Sequence, residues 1–219
     1  MSPEQQKDWQ DGVLSDILHA VVAHEPLRAA LVFKGARILN LHLQPERQSV
    51  DLDANATEAF ARSMPDRDQQ AEWLERELER ALRIYFEARE PVRFVLESVK
   101  VNKKPPRMAH PQGWDGLVAA IRLQDQRHSG VLGLPRLELE IAAPELLGPA
   151  AITWLPLGHH RIQAYALHRI AGEKLRAFLT SLPAYRRKMG GGERVPRVKD
   201  LHDLARILAV KPEIGRAHV

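Results

Sequence analysis

A chain of 219 residues with no cysteine excludes a disulfide framework and a thiolate metal centre, and it is long enough to bury one sizeable core, with or without a smaller lobe. With 44% hydrophobic and 27% charged residues it reads as an ordinary globular protein, and no apolar run approaches membrane-spanning length. Thirty-two basic against 28 acidic residues give a net charge of +4, too small by itself to name a partner.

The opening MSPEQQKDWQDG lacks the basic-then-apolar build of a signal peptide, so a cytoplasmic location is expected. Asp8 to Ala23 carries Trp9, Val13, Leu14, Ile17, Leu18, Val21 and Val22 at helical spacing, and Pro26 is expected to end that amphipathic helix. Leu27 to Phe33 reads as a buried strand that delivers Lys34 and Gly35. A short helix over Ala36 to Leu43 follows, with Ile38, Leu39 and Leu41 to bury. Next comes a strand in which Ser49, Asp51 and Asp53 alternate with Val50 and Leu52, placing both carboxylates on one face and the apolar pair in the core. Two carboxylates on a rigid strand suit a hard divalent cation, and Gly35 at a helix start offers N–H groups to a phosphate. An isolated acidic pair of this kind is more often simply solvated; here it follows a strand–Gly–helix unit at short distance.

Ser63 is expected to cap the longest helix, which runs to Ala88 with Trp73, Leu74, Leu78, Ala81, Leu82 and Tyr85 facing inward and Glu75, Arg76, Glu77, Glu79, Arg80 and Arg83 outward. Strands are expected over Val92 to Val101 and Leu117 to Leu123, with a polar loop between them. Arg136 to Ile141, RLELEI, alternates cleanly: Leu137, Leu139 and Ile141 inward, Glu138 and Glu140 outward. The Pro- and Gly-rich run from Pro144 to Gly158 marks a passage to a C-terminal lobe, and His159-His160 reads as a turn. Tyr165 to Leu182 is a helix with Leu167, Ile170, Leu175 and Phe178 available for packing. Two basic stretches stand out: Lys100 to Arg107 with four cations and no acid, and Tyr185 to Lys199 with six cations and one acid. They suit a phosphate backbone as well as they suit solvated loops.

The order Lys34-Gly35-Ala36, then Arg47, Ser49, Asp51 and Asp53, resembles the first motif of the AbiEii/AbiGii nucleotidyltransferase toxins, a branch of the DNA polymerase beta-like nucleotidyltransferase superfamily. Ala36 departs from it, since the family usually places Gly or Ser there. Glu173 to Ala177, EKLRA, is similar to the family's third motif, in which a lysine, here Lys174, reaches the triphosphate. Arg197, Asp200 and Asp203 match the last motif one by one, with Lys199 in place of the usual Arg.

The resemblance implies an α+β fold, a mixed sheet flanked by helices, with a nucleotidyltransferase core over residues 1–145 and a C-terminal helical lobe over 146–212. Residues 213–219, EIGRAHV, look like a translated sequencing adapter, so the native reading frame is expected to continue past Pro212. It further implies transfer of a nucleoside monophosphate from an NTP, with two Mg²⁺ ions held by Asp51, Asp53 and a third acid. Glu140, with Glu138 as substitute, is the residue the resemblance puts in that third position, where the family more often has Asp; taken alone, RLELEI reads equally as two exposed strand glutamates. Lys34, Gly35, Ala36, Arg47, Ser49, Lys174, Arg197 and Asp203 would hold nucleotide or order the site. Lys174 is expected to touch Asp200 or Asp203. RNA, the tRNA 3′ end included, is the implied acceptor, and a neighbouring antitoxin gene is the implied partner in phage defence. The alternative is an inactive nucleotide- or RNA-binding module of the same fold.

Overall fold

The computed structural model describes residues 1–43, 48–106, 115–128, 134–190, 192 and 195–215. Helix α1 spans Pro3–Ala23 and buries all seven expected apolar residues. It begins before Asp8 because Ser2 and Gln5 form a capping box: the Ser2 hydroxyl accepts from the Gln5 N–H at 3.2 Å, and the Gln5 side chain accepts from the Ser2 N–H at 2.8 Å. Beyond Ala23 a second helix, α2 (Glu25–Ala30), opens with Pro26 in its first turn, where a missing N–H costs nothing. Residues 27–30 are therefore helical, and strand β1 is confined to Leu31–Lys34.

Helix α3 (Gly35–His42) buries Ile38, Leu39 and Arg37, while Leu41 stays exposed. Strand β2 is Leu52–Ala56. Because alternation begins only at Leu52, Val50 is exposed and Ser49 is buried, the reverse of the expected pattern. A short helix α4 (Glu58–Ser63) then takes up Ser63, whose hydroxyl donates to the Phe60 carbonyl at 2.8 Å. The cap of the long helix α5 (Arg67–Glu87) is instead Asp66, accepting from the N–H groups of Asp68 and Gln69 at 2.7 and 3.0 Å. Glu77 of α5 turns inward rather than outward, since His24 and Arg76 meet it at 2.8 and 3.2 Å.

Strands β3 (Phe94–Lys104), β4 (Gly116–Asp125) and β5 (Leu137–Ala142) follow. The stretch after Pro144 holds more than a passage: β6 (Ile152–Leu157) and β7 (His160–Tyr165) form a hairpin turning at Gly158-His159. The remaining helices are α6 (Leu167–Ser181), α7 (Pro183–Lys188) and α8 (Val198–Val210). On α6, Ile170 is buried as expected, whereas Leu175 is exposed.

The seven strands of the described residues join one mixed sheet in the order β3-β4-β5-β2-β1-β7-β6. The hairpin enters beside β1, with β7 parallel to it, so the sheet continues well past residue 145. At the centre, β2 lies antiparallel to β1 and parallel to β5. Leu52, Leu137, Leu139 and Ile141 fill the core side, which α1 and α5 help to close. The opposite side carries one row of cross-strand neighbours: Lys34, Asp53, Glu140, Val118 and Asn102. No helix among the described residues is long and apolar enough to cross a membrane.

Candidate active site

Register alone brings charge together at the middle of the sheet. Asp53 stands between Lys34 on one side and Glu140 on the other, and exposed Asp51 precedes it at the strand's edge. Burial first, then the charges of Asp51 and Glu140, push the Asp53 carboxyl up to about 6, with Lys34 opposing and Glu173 adding to the rise. This floor is a concentration of negative charge only partly compensated by Lys34.

Gly35 shapes the wall next to it. Its φ of +81° suits glycine, and a Cβ there would overlap an oxygen of Asp53, so the backbone can pass this close only without a side chain. The start of α3 has no side-chain cap, which leaves its first N–H groups available to an anion.

The second wall comes from α6 and α8. Ile170, Glu173, Lys174 and Ala177 fall at helical spacing on one face of α6, and all line a cavity of about 280 Å³ with Lys34, Gly35, Ala36, Asp51 and Asp53. The Lys174 ammonium donates to Asp200 at 3.2 Å and Asp203 at 2.6 Å, the contact expected from the sequence, and both carboxylates are fully buried. Asp200 also accepts from Arg197 Nε at 2.6 Å. An ammonium has three donors, so two go to the aspartates and one remains for the cavity. Asp200 lies in the first turn of α8 rather than capping it, the cap position being Arg197.

Not every expected residue faces this cavity. Ser49 is buried, and its hydroxyl donates to the Asp51 carbonyl at 3.2 Å; its N–H and carbonyl are held by Asp11 and Arg37. It therefore fixes the approach to Asp51 instead of presenting an oxygen to the cleft. Arg47 lies outside the described residues. Conversely, Glu173, Arg176 and Lys199 line the cavity without having been singled out as site residues. The signal for two of them was adjacency, Glu173 preceding Lys174 and Lys199 preceding Asp200.

The donors on the floor are hard carboxylate oxygens, and the raised Asp53 marks charge that a divalent cation would relieve, so Asp51 and Asp53 fit such an ion in kind. Among the described residues, no three acidic or histidine side chains converge as they stand, and Glu140 is paired with Lys104 at 3.1 Å on the open side. A larger, mostly apolar groove of about 840 Å³ between α6 and α8, lined by Leu167, Leu175, Leu204 and Leu208, contains none of these acids.

Residues 16–218 match the family model described as the nucleotidyl transferase AbiEii toxin of a type IV toxin–antitoxin system. The chain belongs to the AbiEii family. No curated protein matches it. Among solved structures it matches an antigenic nucleotidyltransferase-like protein from Paracoccidioides brasiliensis at 14% identity, covering 96% of this chain and 78% of that one with a TM-score of 0.46.

Proposed function

We propose that this AbiEii-family chain is a Mg²⁺-dependent toxin that moves a nucleoside monophosphate from an NTP to an RNA hydroxyl, the tRNA 3′ end being one candidate, and that a neighbouring gene encodes its antitoxin in phage defence. The observation that carries the reading is the cleft itself: an uncapped helix start at Gly35 and the spare donor of Lys174 face Asp51 and Asp53 across a cavity of about 280 Å³. The N–H groups of α3, with Lys34 and Lys174, would take the triphosphate oxygens. Buried Asp200 and Asp203 hold Lys174 in place, so its charge is aimed before nucleotide arrives.

Asp51 and Asp53 would hold the divalent ions, with Glu140 joining them on release from Lys104. When bound, such ions supply Lewis-acid stabilisation to the charge that develops on the phosphoryl oxygens. The acceptor oxygen bonds to the α-phosphorus as that phosphorus loses its bond to the β-phosphate oxygen. Pyrophosphate leaves with the electron pair, and the hydroxyl proton passes to Glu140 and on to water. A cytoplasmic setting fits this substrate.

Labelled NTP mixed with total RNA is the test. Mg²⁺-dependent label in RNA, lost in Asp53→Ala, is the expected result. The second reading, an inactive nucleotide- or RNA-binding module, is favoured by one observation, the engagement of Glu140 with Lys104. Nucleotide binding without any incorporation would establish it instead.

A further inference from the structure

Beside the cavity that takes the triphosphate lies a second and larger one. It measures about 630 Å³ and shares Asp51, Asp53, Arg197 and Lys199 with the first. Its own side is built from Gln10, Arg136, Glu138 and Glu140, with Val50 and Leu52 the apolar members. The two spaces therefore meet at the acids and diverge from them, one toward α3 and α6 and the other along the open side of β5.

In phosphoryl transfer the attacking and leaving oxygens lie roughly in line through the phosphorus. With pyrophosphate leaving toward Gly35 and Lys174, the attacker must come from the other side, where Glu140 stands. We infer that the second cavity is the acceptor subsite, that it admits the end of a nucleic acid strand, and that Arg136 grips the phosphate next to the attacking hydroxyl. The inference rests on the proposed function.

Arg136 is suited to that role. Its carbonyl accepts from Gln10 Nε2 at 2.9 Å, which pins the backbone to α1. Its side chain is exposed and makes no ion pair among the described residues. It stands one residue before β5 and lines the same cavity as Glu138, Glu140, Asp51 and Asp53. A guanidinium in such a position offers the fork geometry that phosphate accepts. The lining is dominated by charged and amide groups, and Leu52 is almost wholly covered. A tyrosine or an apolar peptide would find little wall to pack on here, while Arg136, Arg197 and Lys199 would meet a phosphodiester once the divalent ions that Asp51 and Asp53 would hold offset the carboxylates of the lining.

Two readouts on the full chain test the assignment. In the first, binding of a fluorescent single-stranded oligoribonucleotide and of a fluorescent NTP analogue is measured separately for wild type, Arg136→Ala and Arg136→Lys. Oligonucleotide affinity is expected to fall at least fivefold in Arg136→Ala and to recover in part in Arg136→Lys, with nucleotide affinity unchanged in both. Unchanged oligonucleotide affinity overturns the assignment, and so does an equal loss of both ligands, since the cavities would then not be separate. In the second, label from NTP is followed with RNA and protein acceptors present together. A raised KM for RNA at constant KM for NTP in Arg136→Ala supports the subsite, and label on protein alone overturns the choice of acceptor. Wild type that labels nothing refutes the transfer reaction, while the binding comparison still judges the subsite.

Discussion

Gly35 and Asp53 stand so close that each constrains what the other can be. Gly35→Ala forces a Cβ against the Asp53 carboxylate at a positive φ, with an expected cost of about 1–2 kcal/mol in stability and loss of nucleotide binding. Thermal melts and a nucleotide titration check both parts. Asp53→Asn separates function from folding. The carboxyl is held up at about 6 by burial and by Asp51 and Glu140, so at pH 7 its charge strains the folded state. The neutral amide is expected to melt no lower than wild type while RNA labelling falls by at least about 100-fold. At this scale Asp53 was legible because an acid between Leu52 and Ala54 must face away from the core, while Asp51, one residue before β2, reaches the same cavity without lying on the strand. Ser49 and Val50 were not, because Arg37 and Asp11 hold the segment before Leu52 out of the strand pattern. No periodicity reports a buried arginine reaching across from another helix.

Helices α6 and α8 are joined through charge as well as through apolar contact. Lys174→Ala would leave Asp200 with Arg197 alone and take from Asp203 its 2.6 Å partner, an expected loss of roughly 3 kcal/mol seen as a lower midpoint in urea. Nucleotide affinity should fall with it, and Lys174→Arg should restore much of the stability. A similar junction ties α1 to β4. Asp125 is fully buried and would be raised by burial, but His128, the Trp9 indole, the Arg127 N–H and Arg93 together hold it down to about 2. A folded pKa below the unfolded value stabilises above the unfolded pKa and is lost as pH falls. Roughly 2 kcal/mol should therefore disappear between about pH 4 and pH 2, a slope that Asp125→Asn removes in acid unfolding curves. The Lys174 contact could be anticipated because motifs on two helices named both partners. The β6–β7 hairpin could not: Pro156 and the glycines around it break the alternation, and its place in the sheet comes from pairing with distant β1. Helix α2 was hidden likewise, since Pro26 terminates and initiates helices with the same ring.

For the whole molecule, a net charge of +4 says little, but the cations that border the acceptor side are local: Arg136, Arg197 and Lys199. If these three meet phosphates, log affinity for single-stranded RNA should fall with log salt at a slope of about −2, and Arg136→Ala should reduce that slope by about 0.7. Fluorescence anisotropy across a salt series measures both. The three alternating strands were readable from side-chain pattern and the α+β class came with the family resemblance, whereas the strand order was not readable, because the central β2 takes its two partners from opposite directions along the chain. That arrangement also sets the order in which the parts of the cleft are made. During synthesis β1 and β2 emerge early, β5 much later, and Lys174, Asp200 and Asp203 later again. On the proposed function, the cleft lacks the pair that holds Lys174 until residue 203 has emerged from the ribosome, so a nascent chain carries the acids of the floor before it carries the fixed cation opposite them.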